Sequence, residues 1–166
     1  MSALQLLRED HAPALLAFER ANREFFTKTI PDRGDAYFAE FGARHAALLA
    51  EQAEGVCFFH VLVGDDGTIL GRFNLVDAED GEAELGFRMA EDATGRGLAT
   101  AAVRELLALA ATGYGLTSLR AGASAANKAS QRVLERAGFV AVGDSQRVTD
   151  GVPGIAYRRE LREFAV

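Results

Sequence analysis

Gly95-Arg96-Gly97 stands where an alternating run, Glu82 to Ala90, gives way to a segment of helical composition, Leu98 to Thr112. A strand that feeds a helix in this way leaves first-turn backbone N–H groups unpaired at the positive end of the helix dipole. Neither Gly95 nor Gly97 carries a Cβ, so a ligand can approach that backbone closely, and the expected ligand is an anion, a phosphate or pyrophosphate above all. Arg96 adds a charge. The alternative for a lone Gly-x-Gly is a turn with ordinary capping. Two phosphate frameworks do not fit. A dinucleotide fingerprint wants Gly or Ala where Thr100 stands and an acid where Ser124 closes the next strand, and no Gly-Lys-Ser/Thr of a Walker loop is present. One Cys and three scattered His give no metal-ligand spacing, so no metal is expected. His60 reads as a core histidine within an apolar strand, and His11 and His45 as helix-surface residues.

The elements that must position this turn can be read in order. Ala3 to Arg8 forms a first strand, and Asp10 caps a helix reaching about Asn22. Phe25 to Gly34, broken at Pro31 and Gly34, is a loop carrying exposed aromatics. A single helix follows from Asp35 to Glu54, with Phe38, Phe41, His45, Leu48, Leu49 and Gln52 near one face. Val56 to Val63 is a covered strand, Gly64-Asp65-Asp66-Gly67 a hairpin turn, and Thr68 to Val76 its antiparallel partner. After Asp80-Gly81, Ala83, Leu85, Phe87 and Met89 alternate with Glu82, Glu84, Gly86 and Arg88. The Ala-rich circumference of Leu98 to Thr112 suits close packing on a sheet. Leu116 to Ser124 is a strand and Asn127 to Ala137 a helix ended by Gly138. Phe139 to Val142 begins another strand, and Asp150-Gly151 turns into a last one, Ile155 to Leu161. The chain is therefore α/β (α+β): a single mixed, mostly antiparallel central sheet of about six to seven strands with helices on both faces.

At 166 residues the chain reads as one domain, residues 1 to 166, large enough to bury a core. The acidic balance, −6, argues against a nucleic-acid partner, which would need Lys and Arg at phosphates. Near the N-terminus, acids and His11 follow Met1-Ser2-Ala3-Leu4 too soon for a signal peptide. No window approaches the roughly 18 uninterrupted apolar residues of a membrane span. The lone Cys57 fits a reducing compartment, and the cytoplasm is the expected location.

The order Glu84-Leu85-Gly86-Phe87, then Gly95-Arg96-Gly97-Leu98-Ala99-Thr100, then Asn127-Lys128-Ala129-Ser130 and Leu134-Glu135-Arg136-Ala137-Gly138-Phe139 resembles the GCN5-related N-acetyltransferases. Within them it is most similar to the ribosomal-protein N-terminal acetyltransferase branch. The resemblance covers nearly the whole chain and is most specific from Glu84 to Phe139. It implies a GNAT-like sheet, acetyl-CoA as co-substrate and an amine as acceptor. It further implies that the backbone of Met89, Ala90 and Glu91 pairs with the pantetheine arm. Gly95, Arg96, Gly97, Leu98, Ala99 and Thr100 would hold the pyrophosphate, and Asn127 would bond the pantetheine. Ser130 matches the residue proposed to protonate the departing thiolate. Two departures matter: Asp92 stands where the family's phosphate loop opens with Gln or Arg, and Leu134 where another branch has a thiolate-protonating Tyr.

Acetyl transfer to an amine needs a neutral nucleophile, although an α-amino group has a pKa of about 8 and a lysine about 10.4. Glu84, on the strand leading to the cofactor, is the candidate base, directly or through water, and Glu82 is its substitute. Backbone near Phe87 to Met89 could supply donors to the carbonyl oxygen. Phe25, Phe26 and Tyr37 flank the loop that covers the acceptor in this family and are candidates for shaping its pocket. Lys128 or Arg132 could meet the ribose phosphate. The expected activity is acetyl transfer from acetyl-CoA to a primary amine, protein N-terminal α-amines favoured. The alternatives are a small-molecule amine acetyltransferase, acting on a polyamine, amino acid or antibiotic, and a non-catalytic acyl-CoA-binding regulatory domain. Acceptor choice is assigned to the Phe25–Asp35 loop and the Val142–Gly154 hairpin. The resemblance is also compatible with a homodimer.

Overall fold

Tight turns build the first half of the sheet. In the computed structural model, which describes residues 2–145 and 153–164, Gly64-Asp65-Asp66-Gly67 joins β2 (Phe58–Val63) to β3 (Ile69–Glu79). Asp80 and Gly81, both at positive φ, turn β3 into β4 (Glu82–Met89). Positive φ at both central positions matches the twist of an antiparallel hairpin. Ahead of these lie β1 (Ala3–Leu6), a 3-10 turn (Glu9–His11) and helices α1 (Ala12–Ala21), α2 (Arg23–Phe26), α3 (Asp35–Ala39) and α4 (Phe41–Ala53). After β4 come α5 (Leu98–Gly113), β5 (Ser118–Ser124), α6 (Lys128–Arg136), β6 (Val140–Ser145) and β7 (Gly154–Glu160). The seven strands form one sheet in the order β1-β2-β3-β4-β5-β7-β6. Every neighbouring pair is antiparallel except β4 and β5, which are parallel.

Register sorts the side chains onto two faces. His60 opposes Phe73, Phe73 opposes Phe87, and Leu85 opposes Ala121, so these residues share one face. Tyr114, at the end of α5, stacks on Phe58 and accepts or donates at His60 Nε2 over 2.6 Å, which places α5 on that face. His60 is thus a core residue, as its apolar strand implied, with Nδ1 3.1 Å from the Phe73 carbonyl oxygen. The opposite face carries Arg72, Asn74, Glu84, Gly86 and Arg88, and α1 packs there through Glu19. Phe73, Leu75, Ala83 and Leu119 are completely buried at the centre.

The N-terminal half departs from the sequence reading in four places. Asp10 lies inside the 3-10 turn, ion-paired to Arg8, and caps nothing; α1 starts after it with Pro13 in its first turn. Within Phe25 to Gly34, Phe25 and Phe26 belong to or end α2, and Phe26 is buried on Phe18. The Asp35–Glu54 helix is two helices with a bend at Glu40, which sets Tyr37 edge-on to Phe41. His11 and His45 are buried: His11 Nδ1 accepts from the Arg8 N–H and its Nε2 faces Gln5 Oε1, while His45 Nε2 meets the Arg8 carbonyl. A histidine on a helix face is drawn inward when irregular backbone, such as that at Arg8, needs partners. The Asp150-Gly151 turn, and with it the tip of the Val142–Gly154 hairpin, lies outside the described residues.

Candidate active site

The parallel pairing at the middle of the sheet runs only from Glu82–Ser118 to Leu85–Ala121. Past that point β4 stays with β3 as far as Met89, and β5 stays with β7 as far as Ser124. The two strands therefore part, and a wedge opens between residues 86–89 and 122–124. The Ala90 N–H donates to the Leu70 carbonyl at 2.8 Å, so by strand alternation the Arg88 amide also faces β3 while those of Phe87 and Met89 face the wedge. Backbone groups turned into such a gap require partners from water or a ligand.

A groove of about 570 Å³ continues from the wedge across the start of α5. Gly95 and Gly97 line it at φ +76° and +75°, in the left-handed region, and a Cβ on either would meet no atom within 4 Å. The first bond entering the α5 ladder is from Ala101 to the Gly97 carbonyl, so the N–H groups of Leu98, Ala99 and Thr100 have no intrahelical acceptor. Lys28, Arg88, Lys128, Arg132 and Arg136 also line the groove. This basic lining in a chain of net charge −6 has the donors and charge for a polyanionic ligand, and Asp92 lies exposed outside it.

The start of α6 is clamped to the end of β5. The Ser124 carbonyl accepts from the Asn127 N–H and from Gln131 Nε2, both at 2.9 Å, and Asn127 Oδ1 caps the Ser130 N–H at 3.1 Å. The cap occupies the Asn127 carbonyl oxygen and leaves its NH₂ available to a ligand. The Ser130 hydroxyl has no hydrogen-bond partner among the described residues. Both residues also line a second cavity, of about 630 Å³, on the Glu84 face of the sheet. The two cavities meet at Thr29, Ile30, Phe87, Arg88, Asn127 and Ser130.

Glu84 lines the second cavity, whereas Glu82 is tied down. Arg120 at 3.1 Å, Arg158 at 2.8 Å and the Ser118 hydroxyl at 3.0 Å all bond Glu82. Burial raises the Glu82 carboxyl, but Ser118 and the two arginines more than offset this and hold it below its ordinary value. Glu82 is thus a poor substitute for Glu84 as a base. Beyond Arg88, Glu19 is 1 % exposed and gathers three guanidinium groups: Arg72 at 2.9 Å, Arg33 at 3.0 Å and Arg88 at 3.3 Å. Burial pushes the Glu19 carboxyl up, and the arginines more than reverse the effect. Burial first, then the charge of Arg33, brings Arg88 down to about 10.

Of the residues expected at the cofactor, Met89, Gly95, Gly97, Leu98, Ala99, Thr100 and Asn127 line the groove. Ala90, Glu91 and Arg96 do not. The Ala90 and Glu91 N–H groups are already bonded, to the Leu70 carbonyl and Asn22 Oδ1, and both carbonyls accept from the turn that follows. Phe25 and Phe26 line the basic groove rather than the second cavity. Tyr37 is buried, with its hydroxyl 3.2 Å from Arg72 Nη1. The Glu19 cluster was not anticipated, although Arg72, a charge within an apolar strand, demands a buried partner. Among the described residues no group of His, Cys, Asp and Glu could hold a metal, and no helix is long and apolar enough to cross a membrane.

A family model of the acetyltransferase (GNAT) domain matches residues 3–140. The chain belongs to the GNAT acetyltransferase family. This GNAT domain is similar to an uncharacterized N-acetyltransferase p20 of Bacillus licheniformis, 29 % identical over 83 residues. That match spans 49 % of this chain and about half, 47 %, of the curated relative. Among solved structures, ribosomal-protein-S5-alanine acetyltransferase from Vibrio fischeri superposes with a TM-score of 0.91 at 18 % identity, covering 99 % of this chain and 96 % of the other. RimJ of Mycobacterium smegmatis in complex with a CoA-disulfide gives 0.86 at 24 %, covering 98 % and 83 %. A spermidine N-acetyltransferase chimera from Vibrio cholerae and hSSAT gives 0.79 at 15 %, covering 98 % and 97 %. At such identities the likeness is one of fold, a mixed α/β GNAT sheet with helices around it.

Proposed function

We propose that this GNAT domain transfers the acetyl group of acetyl-CoA to a primary amine by direct attack, with a protein N-terminal α-amine as the favoured acceptor. The observation that carries this reading is the meeting of a basic groove with a second cavity where β4 and β5 part, at Phe87, Asn127 and Ser130. Acetyl-CoA supplies a thioester acetyl group and a polyphosphate handle. The residues present fit that co-substrate. The N–H groups of Leu98 to Thr100 and the side chains of Lys128, Arg132 and Arg136 would hold phosphate. Wedge-facing backbone of Met89 would pair with the pantetheine, as would the NH₂ of Asn127.

Phe87 N–H lies where the cavities join and offers a donor to the carbonyl oxygen as that oxygen gains charge. Glu84 takes a proton from the incoming ammonium, directly or through water, because only the free amine is a nucleophile. Ser130 offers its hydroxyl to the sulfur as the thiolate departs. The two arginines that engage Glu82 leave Glu84 as the carboxylate of β4 able to act on this cavity.

The reading predicts that acetyl-CoA raises the melting temperature and that incubation with peptides bearing free N-termini releases CoA thiol and adds one acetyl group to the peptide. The activities of the structural neighbours, on a ribosomal-protein alanine and on spermidine, make polyamines the control acceptor set. Binding of acetyl-CoA without acetylation of any peptide, polyamine or amino acid would refute catalysis and leave the acyl-CoA-binding regulator. Absence of any thermal shift would refute the cofactor as well.

A further inference from the structure

The second cavity has ends of opposite charge. At one end Arg33, Arg72 and Arg88 line the wall around the single carboxylate of Glu19. Three guanidinium groups against one carboxylate leave positive charge in excess. Each guanidinium has five N–H donors, yet among the described residues the three groups make only their bonds to Glu19 and one to the Tyr37 hydroxyl. Their planes are pre-set: Arg33 lies 4.6 Å over the Tyr37 ring and Arg88 4.6 Å over the Phe26 ring. Arg33 stands on the loop between α2 and α3, which Arg23 pins through a two-pronged bond to Asp32 at 2.9 and 2.7 Å.

At the other end the wall carries Glu84 and Asp144. The arginines there are already matched, Arg120 by Glu82, and Arg158 by Glu82 and Glu160. Counted over the described residues, negative charge is therefore in excess at this end. Between the ends lies Gly86, on the same strand face as Glu84 and Arg88 and about 7 Å along the strand from each. A Cβ on Gly86 would meet nothing within 4 Å, so the middle of the face is open beside the point where the cavities join.

We infer that the acceptor is a primary amine that itself carries a carboxylate, the amine lying over Gly86 beside Glu84 and the carboxylate, roughly 7 Å away on the strand spacing, held by Arg33, Arg72 and Arg88. The inference rests on the acetyl-transfer reading and narrows its acceptor class. Two sources have this chemistry: an N-terminal residue followed by Asp or Glu, and a small amino-carboxylic acid with several bonds between its ends. Polyamines, with cations at both ends, are disfavoured by the arginine cluster.

The test compares initial rates, at saturating acetyl-CoA, on peptides that begin Ala-Glu, Ala-Gln and Ala-Lys, on 5-aminopentanoic acid and its amide, and on spermidine. Within each source the acid should exceed its neutral amide about tenfold in kcat/KM, through KM, with Ala-Lys and spermidine lower still. Which acid is the better substrate identifies the source. Arg33→Gln, on an accessible loop, and Arg88→Gln should each shrink the acid-over-amide ratio towards one. Equal rates on acid, amide and Lys acceptors, or a ratio unmoved by both variants, overturn the inference while acetyl transfer stands. If no acceptor is acetylated, the acetyl-transfer reading falls. Equilibrium binding of N-acetyl-Ala-Glu and N-acetyl-Ala-Gln peptides in the presence of CoA then decides the inference, equal affinity overturning it and tighter binding of the acid upholding it.

Discussion

Replacing Gly97 by Ala separates the conformational role of the Gly95–Gly97 turn from its proposed role at the ligand. Gly97 has φ +75°, so a side chain there incurs the left-handed penalty of about 1 kcal/mol. No atom lies within 4 Å of the added Cβ, so packing adds no clash to that penalty. For a chain of this size the unliganded protein should melt roughly 2–4 °C lower. Gly67, in the β2–β3 turn, is the matched control: φ is +84°, the added Cβ again meets nothing, and it lines neither cavity. Acetyl-CoA at a hundred times its Kd adds about 2.7 kcal/mol of stability, or roughly 5–11 °C. If the Cβ of Gly97→Ala stands where phosphate must approach and weakens binding about tenfold, that gain drops to about 1.4 kcal/mol. Gly67→Ala should keep the full gain. Differential scanning fluorimetry across an acetyl-CoA titration measures both quantities. Equal ligand-induced shifts in the two variants would show that the Gly97 backbone does not meet the cofactor.

Three further outcomes are expected. Glu84→Gln should lower kcat about 10²-fold, most severely at low pH where the acceptor amine is protonated, with the acetyl-CoA thermal shift intact; a rate loss constant across pH would rule out Glu84 as the base. Ser130→Ala should slow turnover about tenfold without altering the acetyl-CoA shift, because the cap from Asn127 uses the Ser130 backbone and survives; an unchanged kcat would remove the hydroxyl from the chemistry. Burial lowers His60 from 6.5 to about 4, so the unfolded chain binds the extra proton first and stability is lost as pH falls from above 6.5 towards 4. Urea unfolding should show about 2 kcal/mol less stability at pH 5 than at pH 7, and His60→Leu should flatten that slope; parallel slopes would refute the assignment.

Local chemistry carried most of the element order. Turn residues at Gly64 to Gly67 and Asp80-Gly81, and the alternation from Ala83 to Met89, mark the β2–β4 meander, because both signals act between near neighbours. The Gly95–Gly97 turn was equally legible as a backbone feature, since both glycines do have the positive φ that their lack of Cβ permits. The wedge was not legible from spacing. It depends on where β4 and β5 stop pairing, a contact across more than thirty residues of sequence that no local pattern encodes. The Glu19 cluster was hidden for the same reason: its partners come from β3, β4 and the loop before α3. Tyr37 was expected to shape the acceptor pocket; it is buried, lines neither cavity, and its hydroxyl accepts from Arg72 of the cluster. His11 and His45 show the converse error: both were read as helix-surface residues, although the periodicity of α4 already put His45 on the face of Phe41 and Leu48, and hydrogen bonds to the backbone at Arg8 hold both inside.

The short run of parallel pairs at the centre has a mechanical consequence. A seven-stranded sheet joined across its middle by Glu82–Ser118 to Leu85–Ala121 is two leaves on a narrow spine, β1 to β4 on one side and β5 to β7 on the other. A pantetheine bound in the wedge, as proposed, would take the place of the absent ladder and lengthen that spine. Amide exchange should then slow together at Phe87, Met89, Gly122 and Ser124 when the cofactor is added, and the outer edges at β1 and β6 should keep their own rates.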